Sequence, residues 1–136
     1  MATAPGAAAV AVALGTALAV ALVTRVEVFG QSMEPTLLAG DRLLVARLPR
    51  PLSPPSRRVV AFVDPRDPLG RRILLKRLVH SGRSGMEVRG DNPAQSTDSR
   101  HFGPVERRAL VGLAVYRYAP PERAGWIGRP RVVEGG

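Results

Sequence analysis

The stretch ILLKRLVH, from Ile73 to His80, predicts the longest strand of the chain, because it is apolar and free of Gly and Pro. Lys76 is the only lysine in the sequence, and this pattern places it between two leucines. The ordinary interpretation is a strand-edge lysine whose charged end reaches solvent. Burial would instead lower its pKa and make it a candidate general base. Side chains alternate along a strand, so one face is expected to carry Arg72, Leu74, Lys76, Leu78 and His80.

Short apolar runs separated by turn-forming residues extend this strand into a body that is mainly β. Thirteen prolines and fourteen glycines in 136 residues argue against a helical bundle. SGRSG at Ser81–Gly85 is expected to form a hairpin turn, Pro49–Pro55 a stiff linker outside the sheet, and Gly90–Pro104 a polar loop. Strands are expected at Arg25–Phe29, Arg42–Leu48, Arg58–Val63, Arg71–His80, Met86–Arg89 and Arg108–Tyr118.

An uncharged apolar run precedes this body, from Gly6 to Val23. Its length falls within the roughly 17–25 residues that span a bilayer, so residues 1–24 are predicted to form an uncleaved transmembrane anchor. A buried core helix would need more surrounding protein than the chain supplies. A cleavable signal peptide usually has Lys or Arg before its apolar run, and none is found here. Residues 25–118 are then the β-domain, and residues 119–136 are a Pro-, Gly- and Arg-rich tail expected to be loosely ordered.

Composition excludes several kinds of site and partner. The chain has no cysteine, which excludes disulfides, thiolate metal sites and a cysteine nucleophile. His80 and His101 are the only histidines, so neither a metal nor a cofactor is expected. The formal net charge is +9, but the arginines are scattered and aromatic residues are few. These features argue against nucleic acid as a partner and favour an anionic lipid surface.

The segment GQSMEPTL, from Gly30 to Leu37, contains a candidate nucleophile. Ser32 follows a predicted strand and lies two residues after a glycine, in a turn stiffened by Pro35. A nucleophilic serine needs an exposed hydroxyl and nearby N–H groups that stabilise an oxyanion, and a glycine-flanked turn allows both. Many ordinary β-turns have a similar sequence, so this segment alone has little weight.

The segment GDNPAQSTDSRHFGPV, from Gly90 to Val105, is unusually polar. A solvated loop is the default interpretation of such a run. Asp98 and Arg100 are spaced to form a charge-assisted pair, and Ser96 could donate a hydrogen bond to a neighbouring base. The residues alone therefore predict an ordered polar loop beside a site.

Taken together and in this order, the three segments behind an anchor resemble the type I signal peptidases, which are membrane-anchored Ser/Lys endopeptidases. The resemblance covers about Gly30 to Tyr118 and implies a compact β catalytic domain after one N-terminal transmembrane helix. It implies that Ser32 is the nucleophile, with its N–H as an oxyanion donor, and that Lys76 is the general base. Further positions match the family's supporting residues: Gly30, Met33, Pro35, Asp91, Ser96, Asp98 and Arg100.

The chain also departs from the family pattern. Arg57 and Arg58 stand where the family usually has Gly-Asp, and HSGRSGMEV replaces a usual Gly-x-x-Gly-Asp after the lysine strand. Thirteen residues separate Lys76 from Gly90, so the additional β-domain of larger members is missing. The chain is therefore similar to the smallest bacterial and mitochondrial inner-membrane forms. Some small relatives are thought to process one dedicated precursor, such as that of nickel superoxide dismutase.

The resemblance implies precursor proteins with signal or leader peptides and membrane lipid as partners. Two alternatives are a self-cleaving repressor-type Ser/Lys protease, which would have a DNA-binding domain and no anchor, and a non-catalytic membrane-anchored β-domain.

Arginines after the anchor favour a body in the cytoplasm by the positive-inside tendency. Precursors expose their cleavage sites on the other side, so the catalytic domain is expected outside the cytoplasm. Aromatic and arginine residues in Tyr116–Trp126 suit a membrane interface.

Overall fold

The computed structural model describes residues 22–49 and 52–128, and this part of the chain is mainly β. Most of the predicted anchor lies outside the described residues, and no helix within them is long and apolar enough to cross a membrane. Besides three 3₁₀ turns, the described residues contain one short helix, α1, at Ser99–Phe102. The strands are β1 Val23–Glu27, β2 Arg42–Arg47, β3 Val59–Val63, β4 Ile73–Gly82, β5 Gly85–Arg89, β6 Leu110–Ala119 and β7 Gly125–Trp126.

These strands form one antiparallel sheet in the order β1-β2-β6-β3-β4-β5, with β7 paired to β6. The sheet curls, so that β1 and the first half of β4 line a common cleft although three strands separate them in the sheet order. β5 pairs with β4 only from Arg77 onward, so Ile73–Lys76 pair with β3 alone. Among the described residues, the cleft therefore lies between two strand edges that have no further partner strand.

The central strand β3 explains why the sheet has two apolar faces. Its sequence VVAFV is apolar throughout, as expected for a strand covered on both sides. Val59 and Ala61 pack in one hydrophobic cluster with β2 and the turn after β1, whereas Val60 and Phe62 pack in a second cluster with β5 and Val105. Successive residues of one strand thus anchor both clusters, which fixes the register of the sheet around them.

The mainly β prediction and all six predicted strands are confirmed, with changes at their ends. β1 begins at Val23, inside the segment assigned to the anchor. β4 continues past His80 to Gly82, and a two-residue turn at Arg83–Ser84 leads into β5. The pairing of β4 with β5 shifts between Leu78 and His80, so the predicted alternation ends before His80.

The prediction of a loosely ordered tail from residue 119 is wrong for its described part. Residues 121–123 form a 3₁₀ turn and β7 pairs with β6. Ile127 is buried in the first hydrophobic cluster, and its carbonyl accepts a hydrogen bond from Arg58. Trp126 packs edge-on against Tyr116 with ring centroids 5.0 Å apart. The Pro and Gly content predicted a flexible tail, but the burial of Ile127 and the pairing of β7 with β6 hold this part of the tail in place.

One of the two arginines that stand where the family usually has Gly-Asp carries backbone strain. Arg57 has φ of 69°, in the left-handed region that favours glycine. Its N–H donates to the Leu78 carbonyl at 2.8 Å, and its own carbonyl accepts from Arg77 at 2.6 Å. These bonds hold the backbone in place, so the strain at a non-glycine residue is not relieved by a local shift.

We expect Arg57→Gly to stabilise the fold relative to Arg57→Ala. Alanine retains the left-handed strain, whereas glycine removes it, for a difference of about 1 kcal/mol in the free energy of unfolding. Urea unfolding of the full chain in neutral detergent, followed by tryptophan fluorescence, measures both variants. An alanine variant as stable as the glycine variant would show that the backbone at this position carries no strain.

Candidate active site

The turn that follows β1 carries Ser32 and is anchored by buried apolar side chains that follow it. Gly30 opens the turn with φ of 76° and borders open space, so its left-handed conformation suits glycine. Met33 and Leu37 are buried in the first hydrophobic cluster, and the Leu37 N–H donates to the Met33 carbonyl at 2.9 Å. Pro35 is exposed. Ser32 itself is partly exposed at the surface.

The loop after β5 fixes the Ser32 turn through polar contacts. The Asn92 N–H donates to the Ser32 carbonyl at 2.9 Å. The Asp91 carboxylate accepts from the Thr36 hydroxyl at 2.6 Å and from two nitrogens of Arg77, each at 2.7 Å. Burial alone would raise the pKa of Asp91, but the bonds from Arg77 and Thr36 hold it below its ordinary value. Asp91 thus remains charged and ties the turn to β4.

A second buried carboxylate, Asp41, holds the other end of the turn. Its side chain accepts from the Leu38 N–H at 2.9 Å and from the guanidinium groups of Arg117 and Arg123. Arg117 also donates to the Thr36 carbonyl at 2.9 Å. Sequence analysis did not find this cluster, because nothing in the local pattern links Asp41 to arginines more than seventy positions away.

Lys76 lies in an apolar environment on β4. Its side chain is only 4% exposed, and Val60 is its partner across the strand pair. Its Nζ donates to the Ser96 Oγ at 3.2 Å. Burial of the ammonium lowers the pKa of Lys76, although the negative charge of Asp98 acts in the opposite direction. The interpretation as a solvent-exposed edge lysine is therefore excluded.

Ser96 and Asp98 form a buried polar chain behind this lysine. The Ser96 hydroxyl donates to the Asp98 carboxylate at 2.8 Å, so towards the lysine it is an acceptor and not the expected donor. Asp98 also accepts from the Gly90 N–H and from two nitrogens of the Arg100 guanidinium. The pair with Arg100 is the ion pair that the sequence predicted. Burial alone would raise the pKa of Asp98, but these bonds keep it far below its ordinary value. Asp98 also caps α1, with His101 completing a capping box.

Gly90 lies where this polar chain meets the Ser32 turn. A Cβ atom at this position would come within 2.3 Å of Ser96 Oγ and 2.5 Å of the Ser32 carbonyl oxygen. Glycine is required here because of close approach and not because of backbone conformation. The absence of a side chain at Gly90 lets the Ser32 turn and Ser96, the hydrogen-bond partner of Lys76, come close together.

Ser32 and Lys76 line the same cleft, an open cavity of about 500 Å³. Its walls near these two residues are apolar, with Val28, Met33 and Leu75 among them. Within residues 22–49 and 52–128, neither the Ser32 N–H nor its hydroxyl has a hydrogen-bond partner, and no bond joins the hydroxyl to Lys76. The same residues contain no group of three or more His, Asp or Glu side chains that could hold a metal ion.

Comparison with known proteins identifies the family of this chain. The model of a family described as signal peptidase, peptidase S26, matches residues 2–89 and 85–119. The chain belongs to the peptidase S26 family. This match confirms the family that the resemblance in the sequence indicated.

Two curated relatives of this S26 chain are informative. It is 33% identical over 128 residues to the mitochondrial ATP-independent inner membrane protease subunit 1a of Arabidopsis thaliana, covering 76% of this chain and 75% of that protein. It is 28% identical over 139 residues to the probable signal peptidase I-2 of Synechocystis, covering 71% of this chain and 63% of that protein. Both names describe peptidases, which is consistent with a serine and a buried lysine sharing one cleft.

We expect the Lys76 amine to titrate below the ordinary lysine pKa of 10.5. Because Lys76 is the only lysine, labelling with ¹³C-lysine gives one side-chain Cε signal, which can be followed by NMR against pH in the full chain. The urea-unfolded chain is the control. The unfolded state binds the proton more tightly, so stability should rise with pH between the folded and unfolded pKa values. A folded pKa at or above that of the unfolded chain would contradict the burial argument.

We expect Gly90→Ala to disrupt the junction between the serine turn and Ser96. The added methyl group must displace one of them, at a cost of about 1–3 kcal/mol in the free energy of unfolding. It should also shift the Lys76 NMR signal, because Ser96 is the lysine's hydrogen-bond partner. Gly125→Ala is the matched control, since a Cβ there meets nothing within 4 Å. Equal behaviour of the two variants would refute the close-approach argument.

Proposed function

We propose that this protein is a membrane-bound serine endopeptidase that removes signal or leader peptides from exported precursors, with Ser32 as nucleophile and Lys76 as general base. The observation that carries this proposal is the shared cleft, into which a partly exposed serine and a buried lysine of lowered pKa both open. A lysine that loses its proton readily can act as a base at lower pH than an exposed one.

In the proposed reaction the neutral Lys76 amine accepts the proton of the Ser32 hydroxyl as Oγ attacks the scissile carbonyl. The Ser32 N–H, which has no partner among the described residues, stabilises the developing oxyanion. The intermediate collapses when the protonated lysine gives its proton to the leaving amine, which leaves an acyl-enzyme. Water then attacks the ester with Lys76 as base again, and the released Ser32 recovers its proton.

The contacts around the lysine suit this role. Nζ makes its hydrogen bond to a neutral hydroxyl, and the nearest carboxylate, Asp98, is engaged by Arg100 and Gly90 instead. A carboxylate in direct contact would raise the lysine pKa and keep the amine charged. Ser32 and Lys76 would have to approach when substrate binds, and hydrogen bonds in ligand-free sites commonly tighten at that stage.

The cleft offers a way to hold an extended peptide. Its walls are the free edges of β1 and of Ile73–Lys76, where backbone N–H and carbonyl groups lack a strand partner. A substrate segment could add as a strand between them, so that main-chain bonds supply affinity independently of sequence. The apolar lining beside Ser32 would accept small side chains, such as Ala, at the first and third positions before the cut.

We propose that the catalytic domain faces the side of the membrane where precursors emerge, behind an anchor that ends before β1 begins at Val23. Two exposed aromatic side chains suit contact with the lipid interface, since Phe29 and Trp126 are 81% and 82% exposed. The peptide side chains that the cleft accepts would decide whether the enzyme is general or dedicated to one precursor. The non-catalytic alternative is less favoured, because a purely structural domain gains nothing from a buried lysine beside a cleft.

We expect Ser32→Ala and Lys76→Arg each to reduce cleavage of a leader peptide at least about a thousandfold. Alanine removes the nucleophile, and a guanidinium stays protonated and cannot act as a base. The measurement is kcat/KM of the full chain in neutral detergent. For the wild type, kcat/KM should rise with pH as Lys76 deprotonates.

Arg83→Lys serves as the control, because it changes an exposed residue in the β4–β5 turn and leaves Ser32 and Lys76 in place. Urea unfolding should show that both site variants remain folded. Full activity of either site variant would overturn the assignment of the two residues.

A further inference from the structure

The cleft is chemically different at its two ends. Neighbouring strands along the path β1-β2-β6-β3-β4 are all antiparallel, so β1 and β4 run in the same direction. Both walls therefore begin at one end of the cleft and finish at the end where Ser32 and Lys76 lie. The beginning of one wall carries Arg25, and the beginning of the other carries Arg71 and Arg72. The cleft is thus apolar near Ser32 and Lys76 and carries three arginines at its other end, which we call the cationic end.

The positive charge at this end is only partly compensated. Within the described residues, Arg25 and Arg71 are exposed and have no ion-pair partner, whereas Arg72 lies 3.7 Å from Asp64. Asp64 is already held by Arg66 at 3.0 Å. Glu27 is the only carboxylate among the described residues that line the cleft. The lining of the cleft therefore holds three guanidinium groups and one carboxylate, while Asp64 and Asp67 lie outside the lining beside Arg72.

The loop that carries two of these arginines is built to hold them in place. The Asp67 carboxylate accepts hydrogen bonds from the backbone N–H groups of Leu69, Arg71 and Arg72, at 2.8–3.0 Å. These bonds keep the pKa of Asp67 below its ordinary value. The backbone of Arg71 and Arg72 is thus fixed before a ligand arrives, which lowers the entropy cost of binding an anionic group.

We propose that the cationic end selects precursors with an acidic side chain about three to five residues from the scissile bond, on one side of it. This inference rests on the proposed peptidase function. Arg72 precedes Lys76 by four residues on β4, or roughly 13 Å at the rise of an extended strand. A peptide held in the cleft as a strand has the same rise, so its residue about four positions from the reacting carbonyl reaches Arg25, Arg71 and Arg72. Charge-assisted bonds to a carboxylate are the contacts that guanidinium groups make best.

The test uses a set of peptides with one cleavage site, in which Asp, Asn or Lys is placed in turn at each position on either side of the scissile bond. The full chain in neutral detergent is assayed for kcat/KM at low salt. We expect the Asp peptide to exceed the Asn peptide by about three- to tenfold at positions near four on one side, and the preference to shrink at high salt.

Arg71→Gln should reduce this preference, and Arg71→Glu, which leaves two guanidinium groups against two carboxylates in the lining of the cleft, should abolish it. Arg83→Glu is the matched control, because it makes the same charge change on an exposed turn outside the cleft, and it should keep the Asp preference. Equal rates for Asp, Asn and Lys peptides at every position would overturn the proposal. An Arg71→Glu variant that keeps the wild-type preference for the Asp peptide would also overturn the proposal.

Two further measurements separate this proposal from its alternatives. Fluorescence anisotropy with Ser32→Ala measures peptide binding without cleavage, so an Asp preference in binding would support the cationic end even if the wild type proved inactive. Normal cleavage without an Asp preference would leave the peptidase function intact and refute selection. If Arg71→Glu weakens binding of the chain to phosphatidylglycerol vesicles but leaves peptide preference unchanged, the arginines contact lipid and the proposal is wrong.

Discussion

The rest of the site depends on keeping a lysine amine out of water without giving it a carboxylate partner. Burial on β4, opposite Val60, disfavours the ammonium form of Lys76 and lowers its pKa. A direct ion pair would cancel that effect. The structure avoids one by inserting the Ser96 hydroxyl between Nζ and Asp98, while Arg100 and the Gly90 N–H occupy the Asp98 oxygens. Asp98 therefore makes no direct hydrogen bond to the lysine, and its charge only partly offsets the lowering of the Lys76 pKa by burial.

The same loop that supports the lysine also supports the serine. Gly90 and Asn92 contact the backbone around Ser32, and Asp91 joins its turn to Arg77 on β4. Ser32 and Lys76 are therefore held by one segment, although they lie 44 positions apart in the chain. Rigid support of this kind is what a catalytic pair needs, because a displacement of about 1 Å costs large factors in rate.

The sequence predicted six of the strands because apolar runs and turn residues mark strands locally. It also singled out Ser32, Lys76, Ser96, Asp98 and Arg100, and their expected roles rest on the resemblance of three short segments, taken together, to one family. It missed β7 and the Asp41 cluster. Ile127 is ordered by a core assembled from β1, β2, β3 and β6, and Asp41 is satisfied by two distant arginines. Neither relation has a local pattern, so neither could be found without the fold.

The sequence by itself determined that the body is mainly β, that the only possible lysine base lies on an apolar strand, and that no cysteine chemistry is available. These properties follow from residue type and alternation along one strand. Only the tertiary structure decided that Lys76 is buried and not at a solvent-exposed edge, that Ser32 shares its cleft, and that the cleft has a cationic end. The physical reason is the curl of the sheet. It brings the free edges of β1 and β4 together, and local sequence does not encode how strands distant in the sheet approach each other.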